Sequence, residues 1–401
     1  MKIVHTADWH WSETKLDRSI QSSQFILERL KSIRPDLHVI AGDFWDRRQV
    51  LASTSAVIPA VDTVKALAAI SPLVVILGNH AHDVPGSLEI FKHLYTPYPI
   101  YITERAETIL LYLSEHGHAD RFENYPLPTD SETEAENADA IIHLFPYPNK
   151  SHYLASRAGR SIEEANREFT EKLQELFVGF HAVGAETACP KIFVGHCNVR
   201  EARISGGEML PGQEVMISKH DLDLVGADYY ALGHIHLNQE LRNNMWYAGS
   251  IYHHDFGETE EKYFNVVDIE QGQVSVRRER IITRPLSLHI ITIGTDGVII
   301  RDESKANDWH GADLRVRVHL SQEQVGLTSD EEIIKHFPGA ATYHIQRIVT
   351  PEERVRSENI SLAKTLRSRL IEWACTIDKI LPAAVLTKAD EMEAVIHSIE
   401  P

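Results

Sequence analysis

The stretch Ala227-Asp228-Tyr229-Tyr230-Ala231-Leu232-Gly233-His234-Ile235-His236 is an apolar run that stops at a glycine and two histidines. Residues i and i+2 at a strand end point to the same side, so both imidazoles can face one centre beyond the sheet edge, a geometry suited to metal ligation. In a chain with 23 histidines, a lone H-x-H is more often an ordinary surface pair. Four other strand ends repeat the pattern. Lys2 to Thr6 reads as a short buried strand that delivers Asp8 and, two residues on, His10. Asp36 to Ala41 runs into Gly42-Asp43-Phe44-Trp45-Asp46, and Leu73 to Leu77 runs into Gly78-Asn79-His80. Lys191 to Val194 delivers Gly195-His196. A small residue lets the backbone turn sharply, and the polar residue after it is presented at the C-terminal edge of the sheet, where open α/β folds place their sites.

Helical periodicity separates these strands. Residues 16 to 33 carry Ile20, Phe25 or Ile26, Leu30 and Ile33 on one face and end before Pro35; further helices are expected from about 53 to 70 and from Ser161 to Phe180. Alternating strands and helices predict an α/β first domain. Between Arg121 and Lys150 there is no Lys or Arg, and Asp130, Glu132, Glu134, Glu136 and Asp139 crowd the segment, which reads as a solvated loop or insertion. Tyr263 to Ile269 and Gln273 to Arg278 form a hairpin turning at Gln271-Gly272. Arg277, Arg278, Arg280 and Arg284 are the most basic cluster, on a strand face of the kind that is usually solvated.

From Pro285 the texture changes. Leu286 to Ile293, Asp313 to Leu320 and Thr342 to Val349 read as strands, with a helix opened by the capping box Ser329 and Glu332. This is a small α+β unit. After Pro351, the residues Ala363, Leu366, Leu370, Trp373, Ile377 and Ile380 form a helical seam suited to packing on another helix, in this chain or in a partner, and a second helix is expected from about Thr387 to Ile399. The domain boundaries expected are 1–282, 283–349 and 350–401.

At 401 residues the chain is long enough for two or three domains and a large buried core. No apolar run approaches the ~20 residues that span a bilayer, and three cysteines, Cys189, Cys197 and Cys375, are too few for a disulfide framework. Both point to the cytoplasm. A formal net charge of -18 opposes broad attraction to nucleic acid or anionic membrane, so a phosphate-bearing substrate must be drawn by a local positive centre. Bound dications would provide one.

The candidate ligands are Asp8, His10, Asp43, Asn79, His196, His234 and His236. Oxygen and imidazole donors with no thiolate suit Mn, Fe or Zn. Seven ligands are too many for one ion, and one carboxylate can bridge two. Such a pair clamps the attacking and leaving oxygens of an in-line phosphoryl displacement.

D-x-H, G-D-x-x-D, G-N-H, G-H and G-H-x-H, in this order, resemble the calcineurin-like metallophosphoesterase superfamily. The flanking His5-Thr6-Ala7-Asp8-Trp9-His10, Ala248-Gly249-Ser250 and Asp255-Phe256-Gly257-Glu258 resemble its SbcD branch, the bacterial counterpart of the Mre-eleven double-strand-break repair nucleases. The resemblance implies a two-sheet β-sandwich flanked by helices, with a small α+β capping domain that contacts DNA and C-terminal helices behind it. It implies one ion on Asp8, His10, Asp43 and His236 and another on Asp43, Asn79, His196 and His234, with His80 contacting the scissile phosphate or protonating the leaving oxygen. It further implies manganese-dependent cleavage of DNA ends and hairpins by a homodimer bound through its C-terminal helices to an SbcC-like, SMC-family ATPase. One departure stands out. The superfamily usually follows G-N-H with an acidic residue, whereas here the run is Gly78-Asn79-His80-Ala81-His82-Asp83, so either Asp83 has taken over that supporting task or His80 is turned differently.

Two other functions fit the same chain: a phosphodiesterase or phosphatase of small phosphate esters on the same metal core, and a chiefly architectural partner of an SMC-like ATPase. The complete ligand set argues against the second.

Overall fold

The computed structural model describes residues 1–47, 54–114, 120–125, 137–148, 162–183, 185, 187–206, 215–301, 308–350, 360, 362–376 and 379–399. It divides into two compact units. The first comprises 1–288, 307–315 and 339–343, and the second comprises 289–306, 316–338 and 344–401.

The first unit holds two large sheets. One has six strands in the order Gln273–Arg280, Tyr263–Glu270, Lys2–Thr6, Leu37–Ile40, Leu73–Ile76 and Ile100–Thr103, the last four running parallel. The other has seven, in the order Gln239–Arg242, Met245–Tyr247, Tyr229–Gly233, Lys191–His196, Ala140–Phe145, Glu107–Tyr112 and Arg121–Asn124. Its central strands, Ala140–Phe145, Lys191–His196 and Tyr229–Gly233, are parallel.

Side chains alternate across a strand, and here both faces are covered, which is why the parallel strands read as unbroken apolar runs. Ile3, Val39 and Val74 of the first sheet meet Ile142, Val194 and Ala231 of the second in one core. Their neighbours Val4, Ile40 and Val75 turn the other way, onto Ile26 and Leu30 of the helix Leu16–Ile33 and Ala60 and Val64 of the helix Thr54–Leu67. On the far side of the second sheet, Phe193, Tyr230 and Leu232 pack on Phe177 and Phe180 of the helix Ile162–Ala182. The result is a two-sheet sandwich flanked by helices, as expected.

The expected hairpin turns at Gln271 and Gly272, whose φ angles of 50° and 75° give the left-handed turn favoured between two-residue hairpin strands. The loop expected between Arg121 and Lys150 is corrected in part. Ala140–Phe145 is a fully buried strand near the middle of the second sheet. Its Ala-Ile-Ile-His-Leu-Phe run is a strand signal that the adjoining acidic residues obscured. The acidic residues Asp130, Glu132, Glu134 and Glu136 lie outside the described residues.

A four-stranded sheet follows, in the order Ile299–Arg301, Leu286–Ile293, Asp313–Ser321 and Thr342–Thr350. Leu314, Val316, Val318 and Leu320 alternate along the strand Asp313–Ser321 and are buried, and the capping box of Ser329 and Glu332 opens the helix Asp330–Lys335. In the second unit the helices Leu366–Thr376 and Ala383–Ile399 pack on each other, while Ile377 lies outside the described residues. No helix among the described residues is long and apolar enough to cross a membrane.

Candidate metal centre

All five ligand-bearing strand ends converge. Asp8 and His10 follow Lys2–Thr6, Asp43 follows Leu37–Ile40, Asn79 follows Leu73–Ile76, His196 ends Lys191–His196, and His234 and His236 follow Tyr229–Gly233. The loops interlock through the backbone: Asp8 N–H donates to Gly42 O at 3.0 Å and His10 N–H to Asp43 O at 3.0 Å. His234 N–H reaches across from the second sheet to Asp8 Oδ1 at 3.1 Å.

Two glycines make this approach feasible. A Cβ on Gly78 would collide with the backbone and carboxylate of Asp43, and one on Gly42, at φ 85°, would collide with the His196 ring. Four of the seven candidate ligands themselves have positive φ: Asp8 at 51°, His10 at 45°, Asp43 at 49° and His234 at 104°. Non-glycine residues adopt that region rarely and at a cost of order 1–3 kcal/mol each, and such strain collects at functional sites.

Among the described residues, Asp8, His10 and His236 bring ligand atoms within 4.8 Å of one another, and so do Asp43, His196 and His234. His10 Nε2 and His236 Nε2 face each other at 3.0 Å, and His196 Nε2 lies 3.3 Å from Asp43 Oδ1. Donors about 2.0–2.2 Å from a shared ion stand roughly 3 to 3.5 Å apart, so these spacings fit metal first shells. Asp43 faces both groups. Its Oδ1 is on the His196 side and its Oδ2 is 4.0 Å from His10 Nε2. Asn79 is joined through its backbone, with N–H to Asp43 Oδ1 at 2.5 Å, while its own Oδ1 accepts the Ala81 N–H at 2.9 Å.

Ligation needs carboxylates and neutral imidazoles, a state that Asp43 and His10 already favour and His196 does not. Burial disfavours the charge on Asp43, but the rings of His196 and His82 outweigh it and hold the carboxyl well below its ordinary range. Burial first, then His254 and His82, drive His10 well down. Burial raises Asp8 to about 6 against the pull of His196 and His236. Burial opposes a charge on His196, but the Asp43 carboxylate prevails and pushes it up to about 9, a proton that an ion would displace. His196 Nδ1–H donates to Ala41 O at 2.7 Å, which leaves Nε2 for the centre.

Asp83 ties the neighbouring loops together. Fully buried, it accepts the N–H groups of Gly78 at 2.8 Å, Trp45 at 2.8 Å and Phe44 at 3.2 Å, tying together the loops that carry Asp43 and Asn79. Burial and the nearby Asp43 charge push it up to about 7 against those three donors. Asp83→Ala strands buried donors at about 1–3 kcal/mol each, so the expected loss of stability is about 3 kcal/mol or more. Urea unfolding measures it, and a loss below about 1 kcal/mol would refute the clamp.

His80 is half-buried beside Tyr147, with ring centroids 6.3 Å apart, and Tyr147 in turn lies 5.6 Å from His234 and 6.1 Å from His196. The sequence reading missed Tyr147, although it follows the strand Ala140–Phe145 as the ligands follow theirs. It also missed a layer behind His10. The His82 and His254 rings lie 4.7 and 4.5 Å from the His10 ring, and Asp46 forms a third close group with His10 and His82. Asp46 is already paired with Arg47 at 3.3 Å and His254 at 3.2 Å, with Lys15 at 4.0 Å. The arginine cluster is spoken for as well: Arg277 pairs with Glu279, Arg280 with Glu261 and Arg284 with Asp313, and Arg278 stacks over Tyr263.

Three curated relatives, each named as the D component of the nuclease SbcCD, are similar to the chain. That of Staphylococcus epidermidis is 24% identical over 77% of this chain and 78% of its own. That of Staphylococcus saprophyticus is 25% identical over 69% and 67%, and that of Bacillus subtilis is 25% identical over 90% of both chains. Residues 1–238 match the model of the calcineurin-like phosphoesterase family. With more than half its length in that match and the paired ligand groups at its core, the chain belongs to the calcineurin-like phosphoesterase family and is a metal-dependent phosphoester hydrolase.

Proposed function

We propose that the chain is a manganese-dependent DNA nuclease, the nuclease subunit of an SbcCD-like complex acting in double-strand-break repair and recombination. It degrades duplex ends 3′ to 5′ and cuts single strands and hairpins. The observation that carries DNA over small esters is the reach of the Bacillus subtilis similarity. It covers 90% of both chains and so extends past the phosphoesterase match at 1–238 into the small domain.

Asp8, His10, Asp43 and His236 would hold one ion and Asp43, Asn79, His196 and His234 the other, a donor set without thiolates that suits manganese. Two dications bound there supply Lewis acidity toward the scissile phosphate and favour attack by water. The chain's own groups do the rest. Asp43 offsets the repulsion between the two positive charges. His80 contacts the phosphate or delivers a proton to the leaving oxygen. Asp83 fixes the loops that carry both residues.

We assign residues 1–282 to the nuclease domain, 283–349 to the DNA-contacting capping domain and 350–401 to binding of an SbcC-like ATPase, with the protein acting as a homodimer in the cytoplasm. Unpaired Cys189, Cys197 and Cys375 agree with a reducing compartment. End-labelled linear and hairpin DNA incubated with Mn, Mg or chelator tests the activity. Manganese-dependent cleavage is expected; hydrolysis of small phosphate esters with DNA left intact would replace the nuclease reading with a phosphatase.

The C-terminal helices carry the partner prediction. Leu366 and Leu370 line an apolar groove of about 450 Å³ with Val385, Ala389 and Met392, and Trp373 is 47% exposed. Charged residues at Leu370 and Trp373 would bury unpaired charge in an apolar contact, at several kcal/mol. The double variant Leu370→Glu, Trp373→Glu is therefore expected to lose the ATPase in a pull-down while keeping its metal content and its cleavage of short DNA. Unfolding of the lone chain would make the seam an internal core instead.

A further inference from the structure

The loop from Asp255 to Lys262 grips one ligand residue, His236, at two points. Glu258 Oε1 accepts the His236 ring Nδ1–H at 2.9 Å, and Lys262 Nζ donates to the His236 backbone oxygen at 3.3 Å. The two gripping groups are joined, with Lys262 Nζ 2.5 Å from Glu258 Oε2. Nothing is left over in this arrangement. Glu258 also accepts the N–H groups of His254 at 3.1 Å and Asp255 at 3.3 Å, and Lys262 gives its remaining proton to Glu260 Oε1 at 3.3 Å. Glu258 is 3% exposed and Lys262 2%, in a place where an unpaired charge would be costly.

A buried, fully satisfied carboxylate behind a ligand ring fixes which ring nitrogen keeps its proton. With Nδ1–H committed to Glu258, His236 turns Nε2 toward His10 Nε2 and the group it forms with Asp8. The rings of His196 and His10 are held differently. His196 is oriented by a neutral backbone oxygen, that of Ala41, and the buried His10 Nδ1 has no hydrogen-bond partner among the described residues. Of these three rings, that of His236 is the one whose second nitrogen rests on a carboxylate.

We propose that Glu258, held in place by Lys262, is a positioning residue that selectively tightens the ion bound by Asp8, His10, Asp43 and His236. The proposal rests on the two-metal reading of the centre and is independent of whether the substrate is DNA. Replacing Glu258 with Gln keeps the size of the side chain but cannot satisfy the His236 N–H and Lys262 together. Loss of such a supporting partner typically weakens a metal site by about 10- to 100-fold.

Calorimetric titration of the metal-free full chain with manganese chloride provides the test. In Glu258→Gln, one of the two binding steps should weaken by about 10- to 100-fold while the other changes far less. Since Glu258 acts through His236, the same substitution should add almost nothing in a His236→Ala background, a non-additivity that a merely structural role would not produce. Should Glu258→Gln fail to fold by circular dichroism, Glu258→Asp, which keeps a charge for Lys262 but withdraws it from His236, takes its place. Unchanged affinities, equal weakening of both steps, or an undiminished effect in the His236→Ala background would overturn the positioning role. A wild-type chain that binds no pair of manganese ions would instead overturn the metal centre on which the proposal stands.

Discussion

Asp43→Asn is expected to leave at most one manganese ion per chain and to lower phosphodiester hydrolysis by on the order of a thousandfold, the upper end for loss of a single electrostatic element. The reason is that the Asp43 carboxylate faces both groups with separate oxygens. Its Oδ1 lies 3.3 Å from His196 Nε2 and its Oδ2 lies 4.0 Å from His10 Nε2. Two dications held by these groups would repel each other, and a full negative charge facing both would offset that repulsion, which a neutral amide cannot do. The substitution is nearly isosteric, so the left-handed backbone at φ 49° and the Asn79 N–H bond to Oδ1 at 2.5 Å can persist. Loss of any other single candidate ligand is expected to cost less. Mass spectrometric metal content after desalting, with circular dichroism as a fold control, decides the matter. Two retained ions in a folded Asp43→Asn variant would show that this carboxylate does not bridge.

The legibility of this site in the sequence follows from the physics of the parallel strand. A strand covered on both faces must be apolar throughout, so its end is marked by the first small or polar residue, and the ligands of this chain sit at that mark: Asp8, Asp43, Asn79, His196 and His234. Ala140–Phe145 carries the same mark but ends in Pro146-Tyr147-Pro148 rather than a ligand, and it lies beside a run of acidic residues, so charge outweighed hydrophobicity in the reading. The sequence leaves the role of Asp83 open because its partners, Phe44, Trp45 and Gly78, come together only when two loops from neighbouring strands are stacked. Glu258 stands in a recognisable motif, yet its partner His236 is 22 residues away, a separation at which no periodicity operates. At the C-terminus the apolar face of Leu366 and Leu370 was legible. The covering helix, however, begins at Ala383 rather than near Thr387, because Pro382 initiates it, its oxygen accepting the Val385 N–H at 3.0 Å.

His80→Ala is expected to keep two ions bound yet to lower DNA cleavage by a factor on the order of a hundred or more, the scale of a group that moves a proton or steadies a developing charge. His80 stands in neither close group of ligand atoms, so its removal takes no donor from an ion. Its place is nonetheless fixed from both sides. Asn79 before it is tied to Asp43 through the backbone, and His82 and Asp83 after it return their N–H groups to Asn79 O, each at 2.8 Å. The ring therefore stands beside the centre, next to Tyr147 and half-buried, where it can reach a substrate that the buried ligands cannot. The effect should fall on kcat more than on KM, because a proton or hydrogen bond delivered to the leaving oxygen is needed most in the transition state. His80→Gln, which keeps a hydrogen-bond donor but cannot transfer a proton, separates the two roles. Recovery of most activity with Gln means that His80 steadies the phosphate; failure to recover means that it acts as the acid. Near-normal turnover of His80→Ala with both ions in place would remove His80 from the mechanism altogether.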